Sequence, residues 1–242
     1  MAKNEVNNSI YELYGDRWYT AYDDPIALLR AENKVKTPWI ASRIKNQESH
    51  VLDVGCGGGF LSNALSNLGF LVTGVDLSQE SLNVAERFDS TKKVKYLCAN
   101  AYELPFPDQS FDVVTAMDFL EHVDDPQRAV SEFARVLKPG GQFFYHTFNR
   151  NLLSWFVIIK LVEWLVKNTP KDMHVLRLFI KPNELVSFCN NSGMKVEEMT
   201  GIKPLFSSIK LSDVFKRTVP QEMSFELTSS LTLSYMGVAI KN

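Results

Sequence analysis

The sequence predicts an α/β fold: a doubly wound, Rossmann-like, mostly parallel sheet with a late antiparallel strand. Three observations predict it. From residue 51 onward, apolar runs of strand length alternate with amphipathic stretches of helix length, the signature of parallel strands joined by helical crossovers. A glycine-rich turn, VLDVGCGGGF (51–60), follows directly on the first of those runs. An acid, Asp76, closes the second run, where a doubly wound sheet presents a carboxylate to a ligand.

The strand-like runs are 51–55 (VLDVG), 71–75 (LVTGV), 94–98 (VKYLC), 111–116 (FDVVTA) and 141–147 (GQFFYHT). Helical stretches fall at about 59–68, 79–88 and 126–137. Asp125 is placed to cap the last of these, and Lys138-Pro139-Gly140-Gly141 stops it, because proline lacks the donor a helix needs. Beyond them, Pro182 to Asn190 reads as a helix, Met194 to Met199 as a strand and 231–240 (LTLSYMGVAI) as the late strand. A single domain is expected: an N-terminal helical cap at 1–45, a core at 46–148, an inserted apolar helical lid at 149–180 and a C-terminal part of the sheet at 181–242.

A chain of 242 residues can bury a sizeable core. Its net charge of −2, from 26 basic and 28 acidic residues, gives no footprint for a nucleic-acid partner and suits a small ligand of mixed charge. Cys56, Cys98 and Cys189 lie far apart with no CxxC pair, which argues against a disulfide framework or a zinc cluster and suggests a reducing compartment. The first residues hold no apolar leader, and no uninterrupted apolar run spans a bilayer, so a cytoplasmic chain is expected.

The glycine turn narrows the ligand. A dinucleotide site requires GxGxxG, but after Gly55 and Gly57 the third glycine position holds Phe60. A ligand with a cationic amino-acid end and no phosphates requires instead a close approach to backbone and a carboxylate at the strand end, which Asp53 supplies. Asp76 is then placed to take both ribose hydroxyls. The plain alternative, a tight turn beside a helix-capping acid, accounts for one of these features and not for all in register.

These residues resemble the class I S-adenosylmethionine-dependent methyltransferases. VLDVGCGGG, VTGVD, FDVVTAMDFLEHVDDP (111–126), LKPGG (137–141), TFNRN (147–151) and FIKP (179–182) are further similar to the ubiquinone-biosynthesis O-methyltransferases, of the 3-demethylubiquinone 3-O-methyltransferase type. The resemblance implies S-adenosylmethionine as cofactor and Gly55, Asp76 and Met117 as contacts to it, with Gly57 in the same turn and Leu77 beside Asp76. It matches Asn100 and Ala101 to the adenine-edge positions and Lys36 to a basic residue of the cap that reaches the cofactor; the alternative for Lys36 is an ordinary solvated lysine.

Methyl transfer from a sulfonium is an in-line displacement that needs no covalent nucleophile. A phenol, with a pKa near 10, needs a base or a metal to become nucleophilic at neutral pH. Residues 118–122, DFLEH, gather acids and an imidazole at a strand end. Three readings stay open: His122 as general base; Asp118, Glu121 and His122 as ligands of a divalent ion such as Mg²⁺, which the resemblance permits; or a polar turn before the next helix. His174 is a further candidate base by resemblance, although Val175 stands where the family commonly has an aspartate. His146, inside FFYHT, is either a satisfied core imidazole or a wall of the acceptor pocket.

Residues 152–166, LLSWFVIIKLVEWLV, are apolar except for Ser154, Lys160 and Glu163, and with Lys167 the charges form a narrow stripe. Such a helix is expected in the core, as a lid on the acceptor pocket, at a dimer interface or in a bilayer surface; the reading developed is a mobile lid with peripheral contact to the inner membrane surface. The acceptor implied is a small phenolic or quinone-like molecule, a polyprenylated ubiquinone precursor. The stretch 211–230 carries no motif and is expected to reshape the acceptor pocket. Alternatives are a methyltransferase for another small aromatic or lipid-like acceptor, an NAD-dependent dehydrogenase, which Phe60 opposes, and a cofactor-binding module without turnover.

Overall fold

A computed structural model describes residues 8–170 and 173–242. Its helices are α1 (Arg17–Thr20), α2 (Ile26–Ala41), α3 (Phe60–Asn67), α4 (Gln79–Phe88), α5 (Pro126–Val136), α6 (Leu152–Ser154), α7 (Val162–Leu165), α8 (Pro182–Asn191) and α9 (Leu211–Lys216). Its strands are β1 (His50–Val54), β2 (Leu71–Asp76), β3 (Lys95–Cys98), β4 (Phe111–Met117), β5 (Leu137–Phe148), β6 (Met194–Pro204), β7 (Phe225–Thr228) and β8 (Ser234–Lys241). They form one eight-stranded sheet in the order β3-β2-β1-β4-β5-β8-β6-β7. The first five strands are mutually parallel, and β8, β6 and β7 extend the sheet antiparallel.

Alternation along the central strands builds two cores. Leu52, Val114, Phe143 and Tyr145 face α5 and α8 through Phe133 and Leu185. Their neighbours Val51, Val113 and Phe144 face α2 and α3 through Trp39, Ile40 and Leu65. Each central strand is therefore apolar on both faces, as a sheet covered by helices on both sides requires. Asp125 caps α5, its Oδ1 accepting from Arg128 N at 3.0 Å. The expected stop lies where α5 ends, and Leu137 begins β5 there, with a register shift before Gln142.

The sequence places a single antiparallel strand late in the chain; in the structure three late strands join the sheet through antiparallel pairings, β5 with β8, β8 with β6 and β6 with β7. The strand expected at 194–199 runs to Pro204, and past Gly201 its outer edge pairs with β7. That strand lies inside 211–230, which shows no alternating motif because β7 is short and half exposed on both faces. Of the cap expected at 1–45, residues 1–7 lie outside the described residues, and the rest forms a 3-10 turn at Asn8–Leu13, α1 and α2. Of the lid expected at 149–180, residues 171 and 172 lie outside them; the rest holds α6, a π-helical stretch at Trp155–Leu161 and α7, continuous in sequence, and then a 3-10 turn at Leu176–Leu178.

At Gly237, in β8, an added Cβ would lie 2.5 Å from the Glu198 carbonyl oxygen of β6 and 2.3 Å from the Tyr145 hydroxyl. A ladder carbonyl cannot give way as a flexible side chain does. Gly237→Ala is expected to cost about 1–3 kcal/mol and to lower the melting temperature in thermal unfolding; an unchanged melting temperature would refute this account of the β6–β8 contact.

Candidate functional site

β1 lies between β2 and β4, so the crossovers leave it in opposite directions and a crevice opens at the carboxyl ends of the strands. A cavity of about 470 Å³ occupies that crevice. Gly55, Gly57, Asp76, Leu77, Lys36, Asn100, Ala101 and Met117 all line it. Residues from five separate elements, chosen on sequence, thus meet around one space.

The glycine turn has a sterically defined purpose. Gly55 and Gly57 adopt φ of +69° and +50°, where side chains are disfavoured. A Cβ on Gly55 would lie 2.3 Å from the Phe119 ring, and one on Gly57 2.6 Å from Trp18 of α1. The turn therefore admits the cap's indole as well as any ligand. Asp76 accepts from Gly57 N and Ser78 N, each at 2.9 Å, so the second strand's acid also fixes the first strand's turn.

Asp53 departs from expectation. It lines the cavity, but Oδ2 accepts from Ser62 Oγ at 2.6 Å and Oδ1 from Thr115 Oγ1 at 2.7 Å. Burial pushes its carboxyl up to about 6, against the lowering effect of those two hydroxyls. Its oxygens hold β1 to α3 and β4, so it does not present a free carboxylate edge to the cavity.

At the tip of β4 the chain turns sharply: Asp118 has φ +53°. This conformation sends its carboxylate sideways between α2 and β5. Oδ2 meets Lys36 Nζ at 2.6 Å and Oδ1 meets His146 Nδ1 at 2.5 Å, while Lys36 Nζ also lies 2.5 Å from Glu32. Lys36 is only 2% exposed, so it is no solvated lysine. Burial by itself would lower its pKa, but the Asp118 and Glu32 carboxylates outweigh that and raise it. Asp118 is likewise opposed by burial, yet Lys36 and His146 hold its carboxyl far below the ordinary range.

The remainder of DFLEH points elsewhere. Leu120–His122 is a 3-10 turn in which Glu121 is buried, with Thr147 Oγ1 donating to its Oε2 at 2.8 Å. Glu121 lines neither this cavity nor the second one described below, and burial with the neighbouring Asp118 charge pushes its carboxyl up to about 8. His122 lines the cavity, its Nδ1 buried without a hydrogen-bond partner among the described residues. Burial lowers its pKa to about 4. The expected metal triad of Asp118, Glu121 and His122 therefore does not converge. Among the described residues the convergent set is Glu32, Asp118 and His146, whose ligand atoms lie within 4.8 Å of one another. The positions do not support the divalent ion anticipated at DFLEH.

His174 lies beside His122, ring centroids 5.3 Å apart, and against Phe148 at 5.1 Å. It lines a second cavity of about 130 Å³, almost wholly apolar, between α2, the 152–166 insertion and residues 204–225. Leu29 of α2 borders both cavities, and Glu32 faces the second while Lys36 faces the first. His146 lines neither cavity and is a buried imidazole satisfied on one side: Nδ1 is bound to Asp118, and Nε2 lacks a partner among the described residues.

Residues 52–145 match the family description "Methyltransferase domain". A ubiquinone biosynthesis O-methyltransferase of Coxiella burnetii is 39% identical over 74% of this chain and 79% of its own length. One from Pseudomonas putida is 36% identical over 84% of this chain and 90% of its own. The chain belongs to this family. It is an S-adenosylmethionine-dependent methyltransferase with a Rossmann-like sheet. Among solved structures, magnesium protoporphyrin IX methyltransferase from Synechocystis, with bound S-adenosylhomocysteine, has a TM-score of 0.62 at 16% identity, covering 90% of this chain and 85% of that one. The [4+2]-cyclase SpnF has a TM-score of 0.60 at 21% identity, covering 88% and 81%. These two likenesses concern the fold alone, and the second shows how little a fold fixes the reaction.

Sequence reasoning missed Tyr11 and Trp18, which line the cavity from the cap, and the Asp118–His146 contact. The latter has a signal in hindsight: Met117 and His146 are register partners on β4 and β5, which puts Asp118 next to that imidazole.

The high pKa of Glu121 has a measurable consequence. Its carboxyl rises from 4.5 to about 8 in the fold, so the folded state keeps a proton that the unfolded chain releases at lower pH. The associated stability is complete below pH 4.5 and is lost as pH rises through about 8. Glu121→Gln, which keeps an acceptor for Thr147, is expected to gain melting temperature relative to the parent across that window; a difference that stays flat with pH refutes the protonated carboxyl.

Proposed function

We propose that this chain transfers a methyl group from S-adenosylmethionine to a phenolic or catechol oxygen of an acceptor with an apolar tail, a polyprenylated ubiquinone precursor. One observation carries the reading: His122 on the larger cavity and His174 on a smaller, almost wholly apolar cavity stand side by side, and Leu29 borders both spaces. The relatives are named for O-methylation in ubiquinone biosynthesis, which supports this reading.

In this reading Asp76 receives the ribose hydroxyls, Asn100 and Ala101 border the adenine, Leu77 covers it, and Gly55, Gly57 and Met117 lie against the methionine part. Asp53 supplies a buried negative charge near its ammonium. Lys36, with two of its three donors on Glu32 and Asp118, has one left for the carboxylate. The cofactor supplies a sulfonium methyl. His122 holds the acceptor hydroxyl and takes its proton as the oxygen attacks, so the methyl ether forms as the carbon–sulfur bond breaks and the imidazole carries the proton away. A pKa near 4 keeps that imidazole unprotonated at neutral pH. His174 lies behind it on the side of the tail, and Glu121 supports the turn from beneath.

The tail lies between the 152–166 insertion and residues 204–225, which gives the motif-free 211–230 stretch a role in acceptor shape through Val214, Val219 and Met223. The insertion also exposes Leu152, Leu153, Phe156 and Trp164, and α9 beside it exposes Leu211 and Phe215. No helix among the described residues is long and apolar enough to cross a membrane. The exposed side chains instead suit peripheral contact with the bilayer that holds the acceptor. A methyltransferase for another lipid-like phenol remains the second reading, since the C-terminal stretch that borders the apolar cavity carries no family motif.

His122→Gln is expected to lower kcat by at least about 100-fold, with S-adenosylhomocysteine affinity held within about threefold; activity close to the parent's removes His122 from the chemistry. In the parent, the rate should stay flat from pH 8 down toward the His122 pKa of about 4, whereas a limb centred near 8 would transfer the base role to Glu121. Leu161→Trp, which fills the apolar cavity, should raise KM for a prenylated catechol by about tenfold and leave an unprenylated one unchanged. Equal effects on both acceptors would sink the tail assignment.

A further inference from the structure

Glu32, Asp118 and His146 come from α2, the tip of β4 and β5, and their ligand atoms converge within 4.8 Å. Two carboxylates and an imidazole at that spacing have the donor chemistry of a divalent-cation site. The convergence is already answered by a cation of the chain itself. Lys36, one turn along α2 from Glu32, reaches between the carboxylates, 2.5 Å from Glu32 Oε2 and 2.6 Å from Asp118 Oδ2.

We propose that the Lys36 ammonium is the resident cation of this cluster and excludes a divalent metal ion from the junction of the two cavities, so that methyl transfer by this chain needs none. Three features of the structure lead there. First, both oxygens of Asp118 are committed, one to the ammonium and one to His146 Nδ1, so a metal would have to displace one of them. Second, Lys36 is buried to 2% exposure, and a metal ion at the convergence point would meet its fixed positive charge at contact distance, away from screening water. Third, the alternative set at DFLEH does not converge among the described residues: Asp118 is held by Lys36 and His146, and Glu121 is held by Thr147 and lines neither cavity. Positive charge beside the reacting groups is then provided by a proton-bearing side chain on a helix of the cap. That places the cation under the control of cap docking rather than of metal supply. The consequence for catalysis rests on the methyl-transfer reading above; the occupancy rests on geometry alone.

The test is a Mn²⁺ titration of the full chain, followed by the electron paramagnetic resonance signal of free Mn²⁺. The parent is expected to take up no Mn²⁺ up to about 1 mM, the weak end of carboxylate sites. Lys36→Met removes the ammonium and keeps a buried stem of similar length; it should bind one Mn²⁺ per chain at least about 30-fold more tightly than the parent, and Lys36→Met combined with Asp118→Asn should lose that gain. Parent chain that binds one Mn²⁺ in the micromolar range, with loss on Asp118→Asn, overturns the proposal. So does a Lys36→Met chain, folded by circular dichroism, that gains no uptake. Should Lys36→Met not fold, the parent titration still decides, together with turnover after exhaustive chelation: unchanged turnover supports the proposal, and a loss restored by Mg²⁺ overturns it. Absence of methyl transfer to any phenol would refute the acceptor reading and leave the Mn²⁺ result to stand or fall separately.

Discussion

The buried contact of Lys36 with Asp118 is the constraint on which the site depends. It joins the N-terminal cap to the tip of β4, across a distance in sequence that no local preference could bridge. Breaking one partner of such a pair leaves an uncompensated charge in a low-dielectric interior, which typically costs about 3–5 kcal/mol. The cap is therefore fixed to the sheet at the point where the two cavities meet. The same contact orders the wall between them, since Glu32 faces the smaller, apolar cavity and Lys36 the larger one from successive turns of α2.

Asp118 can make that contact only because the backbone there is left-handed, an uncommon conformation for a residue other than glycine. Such outliers persist where their surroundings hold them. Here the surroundings are an ammonium, an imidazole and the backbone hydrogen bond from Asp118 N to the His146 carbonyl at 3.1 Å. Asp118, Glu121 and His122 lie within the short run 118–122 and yet serve three different environments. One anchors the cap, one packs beneath the turn against Thr147, and one lines the cavity. Burial raises the carboxyl of Glu121 and lowers the imidazole of His122, as it must for a buried acid and a buried base, while Lys36 and His146 reverse its effect on Asp118.

Two parts of the chain without readable motifs complete the apolar cavity. The 152–166 insertion buries Ile159 and Val166 while leaving both tryptophans and Phe156 largely at the surface. Residues 205–223 pack against it and against Ala27 and Ala31 of α2. Backbone bonds between Lys167 and Arg217 and between Val219 and Tyr22 tie these segments to each other and to the cap. The apolar cavity is thus a by-product of three elements closing on one another at sites far apart in sequence.

The parallel half of the sheet, its crossovers and the glycine turn were determined by the sequence itself, because each rests on short-range rules: alternation of apolar residues, capping by Asp125, and positive φ at glycine. The positions around the first cavity were legible for the same reason, since strand ends and the turns after them are local features. What only the tertiary structure decided is which side chains meet across strands and across the cap: Lys36 with Asp118, Asp118 with His146, His122 with His174, and Asp53 with hydroxyls rather than a free ligand edge. These meetings depend on strand register, on one left-handed residue and on how α2 docks. Each is a long-range geometry in which a few ångströms change the chemistry, and spacing along a chain does not encode a distance of that kind.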